Sequence, residues 1–180
     1  MLTSENPEEI LVGHWGFLPS WAKERGKNKE VINGRAESVL EKPYFRSAIR
    51  SRRCLIPVTG FFEWKREGKS KTPYRFHANG EIFSLAGLYT MIKDEDGFEL
   101  PHYAIITTEA NKIMAPVHDR IPVIIEKQDE EGWVSEGLTE MEIGKFFRSP
   151  DFGWLQRDQI SALVNSPKND ASEILQPIPE

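Results

Sequence analysis

One cysteine, Cys54, stands in the whole 180-residue sequence, so no intrachain disulfide can form and a thiolate-rich metal centre is excluded. Long apolar runs are also missing. None approaches the roughly 18 residues that a membrane helix needs, and no cationic leader followed by an apolar stretch opens the chain. The expectation is a cytoplasmic or nucleoid-associated protein without a membrane partner. Positive charge is in deficit too: 23 Lys and Arg stand against 28 Asp and Glu, a formal net charge of −5. That balance argues against coating nucleic acid by bulk charge but leaves room for a local basic groove, because phosphate contact depends on where the cations sit.

What is present describes a folded domain. Apolar residues make up 39% and charged residues 28% of the chain, and 180 residues are enough to bury a substantial core in one domain. The basic groups are uneven: "SAIRSRRC" gathers Arg50, Arg52 and Arg53, and "EWKREGKSK" adds more, while "MIKDEDGFE" and "EKQDEEGW" hold much of the acid.

Apolar periodicity and turn chemistry predict mostly strands. "EILVGHWGFLP" reads as a core strand closing on Pro19, "KERGKNKE" as a polar loop and "VINGRAESV" as a short strand. From Ser38, a possible cap, "SVLEKPYFRSAIRSR" has helical spacing that Pro43 divides in two. "RCLIPVTGFFEWK" reads as two strands around a bend, and "REGKSKT" as a hairpin loop. "PYRFHA", "EIFSLAGLYTMI" and "LPHYAIITT" are further strands, with Asn79-Gly80 and "DEDG" as the turns between them. A helical turn and loop over "EANKIMAPVHDR", a strand "IPVIIE", helix-like "EEGWVSEG" and "TEMEIGKFFRS", and a tail with one strand complete the chain. The predicted class is α+β: a mostly antiparallel, partly closed β-barrel-like sheet with short peripheral helices, since so many strands need paired edges.

Several polar residues interrupt these patterns. Glu63 lies between Phe62 and Trp64. Turned toward aromatics it would be desolvated and suited to proton transfer near neutrality. Exposed by strand twist it would instead pair with Lys65. His118 sits in a Pro-bounded loop beside Asp119 and Arg120, where the imidazole can pass a proton and Asp119 can either orient it or pin the loop. Asn33 and Arg35, two apart in a strand, would point to one side, an amide and a guanidinium able to address a carbonyl and a phosphate. Trp15, Phe17 and Trp21 offer plates for unpaired bases, or core. His14 and His77 read as packing or edge residues, and His102 has no partner legible in the sequence. The spacing of the four histidines gives no zinc signature, so no metal and no cofactor are assigned. Cys54, in the apolar "CLIPV", reads as a small buried hydrophobe, with a thiol protease built on Cys54 and His118 as an alternative.

In this order, "HWGFLPSW", "INGRAES", "CLIPVTGFFEWK", "APVHDRIPVII" and "ALVNSPKNDASEILQPI" resemble the SOS response-associated peptidase (SRAP) family, from about Val12 to Pro177. The resemblance implies a single domain that binds single-stranded DNA and links itself covalently to abasic sites, as a monomer. It does so through an N-terminal cysteine whose amine and thiol close a thiazolidine on the open-chain aldehyde. It also implies a role for each matched position. Asn33 would hold that cysteine, Glu63 would handle protons, and His118 would assist ring opening and release. Arg35 and Arg120 would contact phosphate, and Trp15 through Trp21 would wall the strand. The family begins Met-Cys-Gly-Arg, whereas this chain begins "MLTSENPEE", with Leu2 where the thiol is expected. The departure implies either an N-terminally truncated member or one that has lost covalent capture. Truncation is the expectation, because Asn33, Glu63 and His118 remain, and these 180 residues are expected not to crosslink. A noncovalent single-stranded DNA-binding module is the alternative.

Overall fold

A computed structural model of the chain describes residues 1–6, 8–22, 29–93 and 97–178. The polar loop over 23–28 and most of the "DEDG" turn, 94–96, lie outside the described residues. The strands are β1 (Leu2–Thr3), β2 (His14–Trp15), β3 (Asn33–Arg35), β4 (Arg53–Val58), β5 (Phe61–Glu67), β6 (Ser70–His77), β7 (Phe83–Lys93), β8 (Glu99–Glu109), β9 (Arg120–Pro122), β10 (Ile124–Ile125) and β11 (Gln156–Gln159). The α-helices are short: α1 (Ala36–Val39), α2 (Arg46–Ser51), α3 (Glu130–Val134) and α4 (Glu140–Lys145). Among the described residues only α4 carries a full capping box, with Thr139 and Glu142 satisfying each other's backbone N–H groups.

The strands form two sheets. One runs β1-β4-β7-β8-β2, with β10 on β7 and with β3 and β9 on β8, and the other runs β11-β6-β5. This is an α+β fold, but the expected barrel-like closure is absent. The path of the larger sheet ends at β1 and at β2, which do not pair with each other. These outer strands are two residues long, so the edge is blunted by brevity rather than removed by closure. Most of the pairing is antiparallel, but the larger sheet is mixed, since β2 and β3 both lie parallel to β8.

By their internal contacts the residues group into two compact units. The first comprises Met1–Pro57, Ser84–Thr108 and Pro122–Arg148; the second comprises Val58–Phe83, Glu109–Ile121 and Ser149–Glu180. Unit 1 buries a continuous apolar cluster that includes Phe17, Val39, Ile49, Leu88, Ile106 and Trp133. Within it β7 and β8 are antiparallel, with Tyr89 opposite Tyr103 and Gly87 opposite Ile105. Gly87 is glycine because of close approach: a Cβ there would stand 2.4 Å from Ile56 Cδ1 and 2.8 Å from Cys54 Sγ.

The core-strand reading of "EILVGHWGFLP" is corrected here. Ile10 and Val12 are 73% and 83% exposed, and only His14–Trp15 is strand. Phe17 is fully buried, so it is core and not a stacking plate. Helix α1 starts at Ala36 with Arg35 at its N-cap, not at Ser38. The split near Pro43 is as the sequence implies, with α2 beginning at Arg46.

The basic residues gathered in "SAIRSRRC" do not form one surface patch. Arg53 is fully buried, and Arg50 is paired with Glu140. The Arg53 guanidinium donates from Nε to Trp133 O (2.8 Å), from Nη1 to Ile49 O (3.0 Å) and Arg50 O (2.7 Å), and from Nη2 to Ser135 O. Those carbonyls belong to the C-terminal ends of α2 and α3. One cation therefore serves the orphan acceptors and negative dipole ends of two helices, while burial lowers its pKa from the ordinary value.

In unit 2, β5 and β6 form a hairpin in which Glu67 faces Ser70, so the turn is only Gly68 and Lys69. Gly68 adopts φ of 59°. The Asn79-Gly80 turn is present, with positive φ at both residues, 49° and 93°, between the bridged Ala78 and Glu81, but the hairpin expected there is not formed, because β6 and β7 belong to different sheets. Phe61 stacks on Phe76 with centroids 5.2 Å apart, and Met114, Ile121 and Ile160 are fully buried.

Candidate functional site

The residues that the sequence singles out divide between the units. Trp15, Trp21, Asn33 and Arg35 belong to unit 1, and Glu63, His118 and Arg120 to unit 2.

In unit 1, register arranges the set. Strand β8 receives β2 and β3 in tandem along one edge: Trp15 lies opposite Tyr103, Asn33 opposite Ile105 and Arg35 opposite Thr107. Positions 103, 105 and 107 alternate along one strand, so the three side chains share a face, over a span of roughly 13 Å at 3.3 Å per residue. Burial agrees. Trp15, Asn33 and Arg35 are exposed and Gly34 between them is buried, while Ala104 and Ile106 face the core. The Trp15 indole N–H donates to Ile32 O (2.9 Å), tying the exposed ring to the chain that leads into Asn33. Trp21 is 58% exposed, stands edge-on to Tyr44, and helps line a cavity of about 310 Å³ with Pro19, Pro43, Ser47 and Arg52.

In unit 2, the loop that ends in His118 is braced from within. Ala110 N–H donates to Asp119 O (3.0 Å), closing its base. Asn111 accepts from Met114 N–H (3.2 Å) and donates to Pro150 O (2.9 Å). The Arg120 backbone N–H donates to His118 Nδ1 (3.0 Å). Nδ1 is therefore an acceptor, and the neutral ring carries its proton on Nε2. Asp119 Oδ1 lies 3.2 Å from the same Nδ1, a contact that becomes an ion pair only in the protonated ring. The placement of "HDR" before an apolar run thus has a structural reason: Ile121 is buried as an anchor, and the preceding polar residues close the loop on themselves.

Glu63 is half-buried rather than enclosed by aromatics. Its Oε1 accepts from the N–H of Trp64 (3.0 Å), and Tyr74 stands across from it on β6. A residue the sequence reading missed joins this region: Arg157 lies over the Tyr74 ring, 5.5 Å from its centroid, and donates to Ile113 O (3.0 Å). It fastens the 110–119 loop to the sheet that carries Glu63. No local pattern announces it, because β11 and β6 are far apart in sequence.

Cys54 is fully buried, with its carbonyl accepting from the Trp133 indole (2.9 Å). Burial pushes its thiol well above the ordinary range, and the N-terminal ammonium offsets this only slightly. A thiol so held supplies no thiolate at neutral pH, which removes the thiol-protease reading.

With this geometry in place, comparison with known proteins assigns the class. The sequence profile of the SOS response associated peptidase (SRAP) family matches residues 1–167, and the chain belongs to that family. It is 40% identical over 164 residues to the abasic site processing protein YoaM of Bacillus subtilis, covering 89% of this chain and 72% of that one. To the abasic site processing protein YedK of Escherichia coli it is 26% identical over 186 residues, covering 99% and 80%. A crystal structure of a Bacteroides thetaiotaomicron protein superposes with a TM-score of 0.80 at 31% identity, over 91% of this chain and 75% of that one.

The match begins at residue 1 and not near Val12, so the resemblance reaches further toward the N-terminus than the quoted motifs indicate. The opening residues are also built into the fold. Met1 is buried, its ammonium donates to Leu11 O (2.7 Å), and Leu2 and Thr3 pair with Leu55 and Cys54. Among the described residues, no helix is long and apolar enough to cross a membrane.

Proposed function

We propose that the chain acts at abasic sites in single-stranded DNA, with Trp15, Trp21, Arg35 and Arg120 as the strand-holding residues. The observation that carries this reading is the row of Trp15, Asn33 and Arg35 on one open face of the β8 edge. A stacking plate, an amide and a cation repeat there at strand spacing, which suits a flexible strand with splayed bases. The names of the Bacillus subtilis and Escherichia coli relatives, both abasic site processing proteins, support the choice of lesion.

The chemistry follows from what each group can do. An abasic sugar interconverts between a closed hemiacetal and an open aldehyde. The half-buried Glu63 carboxylate accepts the hydroxyl proton as the ring opens, and the His118 Nε2–H donates to the departing ring oxygen. The arginines fix the flanking phosphates so that the aldehyde does not drift. Asn33 offers its amide to the carbonyl oxygen. The family's thiazolidine route needs an accessible thiol beside a free amine. Residues 1–180 carry only Cys54, which is sealed in the core, so these residues hold the lesion without that crosslink.

Fluorescence anisotropy with labelled single strands, with and without a central abasic site, tests this. The expected result is salt-sensitive binding that favours the abasic strand, with the preference lost in Glu63→Gln and His118→Gln, and no adduct on a denaturing gel. Equal binding of both strands by the unsubstituted chain would overturn the lesion reading, and an adduct that survives denaturation would overturn the noncovalent one.

A further inference from the structure

Two histidines that read as unrelated in the sequence, 88 positions apart, are brought side by side by the parallel pairing of β2 with β8, which sets His14 opposite His102. Their ring centroids are 4.5 Å apart. His14 Nε2 lies 2.9 Å from Glu30 Oε2, and one potential ligand atom from each of His14, Glu30 and His102 falls within 4.8 Å of the others. His102 is buried, and its Nδ1 lies 3.0 Å from Gly16 O. A carbonyl only accepts, so His102 Nδ1 carries a proton, and in the neutral ring the lone pair lies on Nε2. This is the outer hydrogen bond that orients metal-binding histidines. Position 16 keeps the space clear: a Cβ there would stand 2.6 Å from Glu30 Oε2 and 2.7 Å from His14 Nε2.

We propose that His14, Glu30 and His102 bind a divalent transition-metal ion of the zinc class. Two imidazoles and one carboxylate supply three ligands of a tetrahedral site and leave the fourth to water. Magnesium and calcium, which require sets of oxygens, are excluded by the same donors. Tetrahedral bonds of about 2.0–2.1 Å separate ligand atoms by roughly 3.3 Å, so the set must contract by up to about 1.5 Å. The movable members are His14 and Glu30, whose side chains are 36% and 35% exposed, while buried His102 is the fixed point. Glu30 precedes Asn33 by three residues and His14 adjoins Trp15. A bound ion therefore clips both ends of the β2–β3 connection to β8 and holds the exposed row in register. The inference needs only unit 1 and is independent of the DNA reading.

The tag-free full chain, stripped with chelator, is titrated with Zn²⁺ and separately with Co²⁺. One equivalent of Zn²⁺ is expected to bind and raise the thermal midpoint by linkage, and Co²⁺ is expected to give the intense visible bands of tetrahedral coordination. His14→Gln and Glu30→Gln, both at partly exposed positions, should keep the parental far-UV circular dichroism. Each should lose the Co²⁺ bands and weaken Zn²⁺ binding by at least about 100-fold, beyond the effect of removing an outer-shell partner. Absence of stoichiometric binding in the parent, or unchanged binding in either folded variant, overturns the site.

Discussion

Replacing Arg53 with Met tests the most unusual piece of the packing in unit 1. Met keeps the apolar stem and much of the volume of Arg while removing every donor. Four carbonyl oxygens, of Ile49, Arg50, Trp133 and Ser135, lose their partner. A buried acceptor left unsatisfied costs about 1–3 kcal/mol, though carbonyls with a second lone pair fall at the low end. The helix C-termini of α2 and α3 each lose a cation worth about 0.3–1 kcal/mol or more. Relief from burying a charge offsets part of this. The net expectation is a loss of about 3–5 kcal/mol, comparable to breaking a buried ion pair by removing one member. For a chain of this length that lowers the thermal midpoint by about 10 °C or more. Trp133 fluorescence reports the transition locally, because the guanidinium lies 5.9 Å from its ring centroid. Arg53→Lys keeps the charge but has no fork to reach both helices, and should fall between. An Arg53→Met variant as stable as the parent would refute the argument, showing that desolvation of the cation outweighs what it satisfies.

Two further outcomes follow from the geometry. Burial raises the pKa of Cys54, so the native state keeps a proton that the unfolded chain releases above about pH 8.5. Stability should therefore fall as pH rises from about 8.5 to 10, by up to about 1.4 kcal/mol per pH unit, and denaturant titrations of Cys54→Ala should lack that slope. In DNA binding, Arg35→Ala should reduce the slope of log affinity against log salt by about 0.7, whereas Trp15→Ala should lose about 1–3 kcal/mol of stacking with the slope unchanged. Equal salt slopes for both variants would show that Arg35 does not touch phosphate.

Local chemistry made much of this protein legible before any fold was known. The Asn79-Gly80 turn needs positive φ at both positions, which Asn and Gly tolerate best, and the break at Pro43 follows from a ring that cannot continue a helix. The alternation of Asn33, Gly34 and Arg35 already put the amide and the guanidinium on one side. Closure of the sheet was not legible, because it depends on how far the outermost strands extend, and β1 and β2 stop after two residues. Nor was the fate of charge: Arg50, Arg52 and Arg53 look alike in a row, yet only Arg53 turns inward to two helix ends contributed by distant segments.

The sequence by itself determined which residue types were available and, through period-two alternation and turn residues, which neighbours share a face. Only the tertiary structure decided which strangers meet. Parallel pairing of β2 and β3 along β8 aligned Trp15 with Asn33 and Arg35 and set His14 beside His102, and register between segments tens of residues apart is set by the packing of the common core, not by any local pattern.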